Sequence, residues 1–165
     1  MHKRTWGAAS SSPSSVERAT RGHSMEPLFT VYFRGHPNVR ATNRMTLEVT
    51  REDFLTLGGD CIIGIKADSG CLDLDAHAKS YMMREGSKLR FALMVNGSVF
   101  EFSASGSSAL TLSHPTSMVV RKSTYTCPRT LAVRSSAAAC DVPRPMVTRL
   151  ASGADGELSA YRALD

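Results

Sequence analysis

The stretch FTVYFRGHPNVRATNRMTLEVTREDFLTLGGDCIIGIKAD, residues 29–68, decides the fold of this chain of 165 residues. Over 29–33 apolar and polar residues alternate, which is the period of a half-buried β-strand. The same alternation returns over 46–50, and 61–65 is a short apolar run typical of a strand buried on both faces. The stretch therefore predicts three strands, separated by a polar loop and by a turn at Gly58-Gly59.

The residues that follow predict a helix and a hairpin. An apolar face at helical spacing places the helix at about 71–85. Residues 88–95 and 99–102 then alternate as two strands on either side of Asn96-Gly97. This dipeptide favours a type I′ turn, because both central residues of such a turn need a positive φ.

A fainter copy of residues 28–95 returns at 99–165. With a shift of 71 positions Gly35 falls on Gly106 (106 − 35), and after the Gly58-Gly59 turn the shift shortens to 68, so that Asp73 falls on Asp141 (141 − 73). Few paired residues are identical, but the predicted order of strand, strand, strand, helix and strand recurs. We therefore predict an α+β fold: one β-rich domain of two β-β-β-α-β repeats, packed about a pseudo-two-fold axis.

The second copy departs from the first in its helix. Pro143 and Pro145 fall where the first copy is in mid-helix, and an interior proline costs about 3 kcal/mol. This helix should therefore begin near Pro143 or be broken there. The last strand is expected at 157–163.

The first 26 residues differ in composition from the rest. Over residues 1–24, four basic side chains against Glu17 leave a net charge of +3 (4 − 1), and a serine-rich run offers no apolar period to bury. We expect 1–26 to be a disordered extension and 27–165 to be the single domain. A serine- and arginine-rich, acid-poor segment is also typical of an organellar transit peptide. The expected location is cytoplasmic, with mitochondrial as the alternative.

The composition and net charge of the chain indicate which classes of partner suit it. A hydrophobic content of 42% suits a globular core, and a formal charge of +5 with a pI near 9.3 favours anionic partners such as RNA. No apolar run approaches the roughly 18 residues of a membrane helix, so no membrane association is expected. The four cysteines form no C-x-x-C pair and have no zinc-finger spacing, which predicts reduced thiols and no metal. Motifs for nucleotide cofactors are absent, so no cofactor is expected.

Several motifs resemble an archaeal family called domain of unknown function 371. They are Phe33-Arg34-Gly35-His36-Pro37-Asn38, Thr46-Leu47-Glu48-Val49-Thr50, Gly59-Asp60-Cys61-Ile62-Ile63-Gly64, Arg121-Lys122-Ser123 and Pro128-Arg129-Thr130-Leu131. The resemblance covers about Leu28 to Asp165. It implies an α+β fold and a soluble intracellular protein, with no established activity. The chain departs from the family in its N-terminal extension, in its proline-bearing second helix, and in Asn43, where the family usually has a histidine.

The polar loop after the first strand is the candidate site. It holds guanidinium, imidazole and amide donors without an acidic residue, a combination that suits phosphate or carboxylate oxygens. The predicted anion-binding residues are Arg34, His36, Asn38, Arg40, Asn43 and Arg44. The alternative is an ordinary solvated loop in which the imidazole and the amides bond to nearby backbone.

Three functions remain open at this point. The first is a non-enzymatic binding module for an anionic ligand, RNA or another phosphate-bearing molecule. The second is a small enzyme that acts on a phosphorylated or acidic substrate through His36 with Asp53 or Asp60. Cys61 is a weaker candidate nucleophile, because its apolar neighbours favour an inert thiol. The third is a protein–protein adaptor.

Overall fold

A computed structural model describes residues 26–163 of the chain. The described part has ten regular elements: β1 (Phe29–Arg34), β2 (Thr46–Thr50), β3 (Ile62–Gly64), α1 (Ala76–Met82), β4 (Lys88–Val95), β5 (Ser98–Ser105), β6 (Ser117–Arg121), β7 (Thr130–Ala132), α2 (Arg144–Ala151) and β8 (Asp155–Arg162). A 3₁₀ turn precedes each helix, at Cys71–Asp73 and at Ala139–Asp141. The predicted β-rich α+β fold is confirmed. The predicted extension at 1–26 lies outside the described residues except for Glu26.

The strands form two four-stranded sheets. The first, in the order β1-β8-β4-β5, is antiparallel throughout and is called the large sheet below. The second, in the order β3-β2-β6-β7, is called the small sheet; β2 and β6 are antiparallel at its centre, and each has a parallel partner at the edge. Each sheet takes two strands from either half of the chain. The order of elements thus recurs as predicted, whereas an origin by duplication stays a prediction.

The core is one hydrophobic cluster that draws on both sheets and both helices. Because successive side chains of a strand point to opposite faces, Leu47 and Val49 of β2 enter this core, as do Met118 and Val120 of β6. The other face of the small sheet is polar but also largely buried, and Glu48 there is only 6% exposed.

The predicted helix at 71–85 is shorter and interrupted. Asp73 accepts a hydrogen bond from the Gly70 backbone N–H at 2.9 Å, which closes the 3₁₀ turn. Asp75 then caps α1 by accepting from the Ala78 N–H at 2.8 Å. Aspartate side chains compete for backbone donors in this way, so they start helices more readily than they continue them.

The two conformational predictions from turn chemistry are confirmed. Pro143 is the N-cap of α2 and Pro145 its second residue, where the missing N–H leaves no helical hydrogen bond unmade. The β4–β5 hairpin turns at Asn96 and Gly97, whose φ angles are +51° and +82°.

Candidate functional site

All six predicted anion-binding residues lie on or beside the loop between β1 and β2, which covers residues 35–45. The structure divides them into two groups. The imidazole and both amides bond within the protein and shape the loop, whereas the guanidinium groups extend from it.

Asn43 holds the end of the loop against two neighbouring segments. Its Oδ1 accepts from the backbone N–H groups of Met45 and Thr46, each at 2.9 Å, and its Nδ2 donates to Asp60 Oδ1 at 3.1 Å. Its carbonyl accepts from the Cys140 N–H at 2.9 Å. Because both ends of its amide make hydrogen bonds, Asn43 positions the loop.

His36 and Asn38 form a local turn, as the solvated-loop interpretation expects of them. The Asn38 N–H donates to His36 Nδ1 at 3.0 Å, and Asn38 Nδ2 donates to the Leu55 carbonyl at 2.8 Å. These bonds fix the first half of the loop. His36 Nε2 and the second hydrogen of Asn38 Nδ2 take no part in these bonds.

Arg34 stands at the end of β1, apart from the other guanidinium groups. Its Nε lies 3.3 Å from Asp155 Oδ1 of β8, and both side chains are well exposed to solvent. An exposed pair of this kind is worth at most about 1 kcal/mol, so a stronger anionic ligand can still compete for the guanidinium group.

Two basic residues from distant parts of the sequence contact the backbone of the loop that carries Arg40 and Arg44. Arg144, the first residue of α2, donates from Nη1 to the Ala41 carbonyl and from Nη2 to the Arg40 carbonyl, both at 2.9 Å. Lys122 donates its backbone N–H to the Met45 carbonyl at 2.9 Å. We call the resulting surface the basic edge, formed by Arg40, Arg44, Lys122 and Arg144.

The sequence interpretation did not place Lys122 or Arg144 at this loop, since both are distant from it in the chain; Arg144 lies 103 positions beyond Ala41. The one available signal was Pro143, which predicts the start of a helix and therefore places Arg144 in its first turn. Within residues 26–163, the one ion pair of the basic edge joins Lys122 Nζ to Asp141 Oδ2 at 3.1 Å.

The residues of the enzyme hypothesis are less well placed for chemistry. Asp53 is exposed, and Asp60 is held by Asn43. Cys61 Sγ donates to Glu48 Oε1 at 3.5 Å. Burial above all, followed by the Glu48 carboxylate, raises the pKa of the Cys61 thiol to about 11, which keeps it protonated and inert near neutral pH. The buried carboxylate of Glu48 was not foreseen.

The surroundings of Cys127 lower the pKa of its thiol, in contrast to those of Cys61. Its Sγ lies 3.3 Å from Arg121 Nη2 and 3.6 Å from Thr130 Oγ1. Burial, the largest single influence, raises its pKa, but the Arg129 backbone N–H, the Thr130 hydroxyl and the Arg121 guanidinium group together lower it below the ordinary value. No sequence pattern indicated this environment, because the contacts depend on the turn between β6 and β7.

Two classes of site find no support in the described part of the chain. Within residues 26–163, no group of three or more histidine, cysteine, aspartate or glutamate side chains is arranged to hold a metal ion. Nor does either helix there have the length and hydropathy needed to cross a bilayer.

The fold and the site define a β-rich α+β protein with a basic edge built from two loop residues of one half and, from the other half, Lys122 after β6 and Arg144 of α2. A sequence profile described as "Domain of unknown function (DUF371)" matches residues 31–161, and the chain belongs to that family. The chain is also similar to an uncharacterised protein of Methanocaldococcus jannaschii. The two are 42% identical over 125 residues, which is 76% of this chain and 92% of the relative.

Proposed function

We propose that the chain is a non-enzymatic binding module for an anionic ligand, with RNA the leading candidate, and that the ligand lies on the basic edge. The observation that carries this proposal is the local charge. Four cationic side chains, with the carboxylate of Asp141 and that of Asp60, which Asn43 holds against the loop, give a net +2 (4 − 2). A concentration of fixed cations on one surface favours a polyanion over a neutral partner.

The matching edge of the other half shows that the fold itself does not need these charges. The shifts of 71 and 68 place Thr111, Pro115, Arg51 and Ala76 opposite the four basic residues. There, the Leu72 N–H bonds to the His114 carbonyl as the Cys140 N–H does to Asn43. Of these four matching residues, however, Arg51 alone is charged. It pairs with Asp73 at 3.2 Å, so that the net charge is zero (1 − 1). The same scaffold thus carries one basic and one neutral edge.

The roles within the site follow from the contacts. Arg40 and Arg44 are exposed, and among residues 26–163 neither guanidinium group has a carboxylate within 4 Å. They are the groups that reach a phosphate. Asn43 holds backbone N–H groups at the end of the loop, and Arg144 holds the carbonyls of Arg40 and Ala41. These bonds fix the backbone beneath the two side chains before a ligand arrives, which lowers the entropic cost of binding.

An aromatic side chain beside the basic edge favours RNA over a simple phosphate. Tyr125 lies three positions beyond Lys122 and is 62% exposed, and the Arg121 guanidinium carbon lies 5.0 Å from the centre of its ring. Unpaired bases stack on exposed aromatic rings, whereas inorganic phosphate gains nothing from them. The enzyme alternative has less support, since His36 and Asp60 are already engaged in holding the loop.

The test is fluorescence anisotropy with a single-stranded RNA of mixed sequence at several salt concentrations. Arg40→Ala combined with Arg44→Ala should weaken binding by at least about tenfold and flatten its salt dependence, because fewer counterions are then released. The matched control is Arg84→Ala with Arg162→Ala, which removes two charges beside Tyr81 and should cost much less. Equal losses from both pairs, or no binding of RNA at low salt, would remove the proposal. Competition by mononucleotides and inorganic phosphate separates RNA from a smaller anion.

A further inference from the structure

One edge of the large sheet is formed by β5, which pairs with β4 on its inner side. Along an antiparallel strand the backbone groups of successive residues alternate between the two sides, and the register of β4 with β5 is regular throughout. Ser103 bonds away from β4: its carbonyl accepts from the Ser136 N–H at 2.8 Å, and its N–H donates to Ser136 Oγ at 3.0 Å. By the same alternation, the N–H and C=O groups of Val99 and Glu101 point away from β4.

These outward groups of Val99 and Glu101 have no hydrogen-bond partner among residues 26–163. The segment 133–136 covers the edge of β5 only as far as Ser103. Because β5 has eight residues where its counterpart β1 has six, it extends well beyond the segment that covers it.

The uncovered part of β5 lacks the usual protection of an edge strand. Edge strands of monomeric proteins commonly carry a lysine, a proline or a bulge, and residues 98–102 contain none of these. Their one charged side chain, Glu101, is paired with Arg90 Nη1 at 3.2 Å. We call residues 99–101 the open edge.

A row of aromatic rings leads from the core to the open edge. Phe91 of β4 stacks on Phe102 of β5, with 5.2 Å between the ring centres, and Phe102 lies 5.7 Å from Phe100. Phe91 and Phe102 are buried, whereas Phe100, the outermost of the three, is half-buried. The row therefore ends at the edge of the sheet in a ring that is still partly uncovered.

We propose that the open edge pairs, antiparallel, with the open edge of a second copy of the chain about a two-fold axis through Phe100. In this register Val99 lies opposite Glu101 of the second copy, and each such pair exchanges two backbone hydrogen bonds. All outward donors and acceptors of both copies are then used. The two large sheets become one sheet of eight strands (4 + 4).

The neighbouring registers are less favourable. An axis through Glu101 places two carboxylates opposite each other and requires the backbone groups of Ser103, which already bond to Ser136. An axis through Val99 pairs Glu101 with Gly97, which belongs to the β4–β5 turn. The axis through Phe100 alone matches free groups with free groups.

The side chains favour a second copy over an unrelated peptide as the partner. With the axis through Phe100, the two Phe100 side chains face each other in a pair without backbone hydrogen bonds, where the Cβ atoms are only about 4.5–5.5 Å apart. The aromatic row of one copy thus continues into that of the other. Because the contact is short, we expect a reversible dimer with a dissociation constant in the micromolar range.

The first experiment is sedimentation velocity of the full chain from about 5 to about 500 µM, which should show a monomer–dimer equilibrium. Val99→Pro removes an N–H group that does not bond to β4, so it should leave the sheet intact and weaken dimerisation by at least about tenfold. Thr30→Pro is the matched control. Its N–H points outward from β1, the opposite edge strand, as that of Tyr32 does, and its loss should leave dimerisation unchanged.

The second experiment needs no substitution, so it also decides the case in which Val99→Pro fails to fold. Amide hydrogen exchange followed by NMR should show that the N–H groups of Val99 and Glu101 exchange several-fold more slowly at high protein concentration, whereas that of Thr30 does not change. A folded Val99→Pro protein that dimerises like wild type, or exchange at both amides that is independent of concentration, overturns the proposal. A monomer at about 500 µM also overturns it and would favour an extended peptide of another protein as the occupant of the open edge.

Discussion

Asn43 and His114, 71 positions apart (114 − 43), accept equivalent pairs of backbone hydrogen bonds in the two halves of the protein. Asn43 Oδ1 accepts from the N–H groups of Met45 and Thr46, and His114 Nδ1 accepts from those of Thr116 and Ser117 at 3.2 and 3.0 Å. An amide oxygen before β2 and an unprotonated ring nitrogen before β6 therefore accept the same two backbone hydrogen bonds. The same contact is thus made by asparagine at position 43 and by histidine at position 114.

This relationship predicts that His114→Asn is tolerated and His114→Leu is not. Leucine leaves two partly buried N–H groups without their acceptor, which should lower the free energy of unfolding by about 1–3 kcal/mol. Asparagine restores an acceptor and should cost less than about 1 kcal/mol. Urea unfolding followed by circular dichroism measures both. Equal stability of the two variants would mean that these bonds contribute little.

The packing of Phe33 against Gly64 and Gly156 predicts a large effect from two of the smallest substitutions. Gly64→Ala and Gly156→Ala should each lower the free energy of unfolding by about 2 kcal/mol or more, because the added methyl group overlaps the ring. Gly58→Ala is the control, since its nearest neighbour would be Thr56 Oγ1 at an ordinary 3.8 Å. Thermal unfolding of the three variants under the same conditions compares their stabilities. A Gly64→Ala protein as stable as Gly58→Ala would contradict the packing described here.

The cysteines should differ in reactivity. Burial raises the pKa of Cys61 to about 11 and that of Cys71 to about 12, so at pH 8 roughly one Cys61 side chain in a thousand is a thiolate. Cys127, with its lowered pKa, should react first of these three with iodoacetamide, as followed by peptide mass spectrometry. Arg121→Met removes a donor to its sulfur and should slow the reaction. Faster labelling of Cys61 than of Cys127 would contradict this predicted order of thiol reactivity.

Asp141 predicts a pH-dependent contribution to stability. The Ala138 N–H at 2.9 Å, and then the Lys122 ammonium group, lower the pKa of this carboxyl below its ordinary value of 3.8. The contribution is therefore complete above pH 3.8 and is lost as the pH falls through the lower, folded-state pKa. Asp141→Asn should cost up to about 1 kcal/mol at pH 7, given the exposure of the pair. The difference from wild type should shrink in acid unfolding below pH 4. Asp53→Asn, a change at an exposed carboxylate, is the control and should change the free energy of unfolding by no more than about 0.5 kcal/mol at pH 7.

Local patterns were sufficient to predict most of the strands. The alternation of 29–33 and 46–50 identified β1 and β2 because one face of each strand enters a single core, and Asn96-Gly97 identified the hairpin because few other residue pairs accept its backbone angles. The helix over 71–85 was predicted too long, since apolar spacing carries no information on which aspartate captures a backbone N–H.

The candidate site could be predicted from the sequence only where its residues are close together in the chain. The loop between β1 and β2 could be found because its donors are adjacent in the chain. Arg144 and Lys122 reach that loop through the pairing of β2 with β6 and through the position of α2, which no short-range pattern specifies. The open edge of β5 depends likewise on the strand order and on how far the segment 133–136 covers that strand.

The strand order β1-β8-β4-β5 allows the strands to be connected in a different order along the chain. β8 and β1 are antiparallel neighbours, with Phe29 opposite Ala160, just as β4 and β5 are neighbours joined by Asn96-Gly97. A short linker from the end of β8 to the start of β1, with the chain opened at Asn96-Gly97, would yield a circular permutant that keeps every strand pair. Because neither half completes a sheet without the other, cutting at the same turn without that linker would give two fragments that fold only by complementing each other.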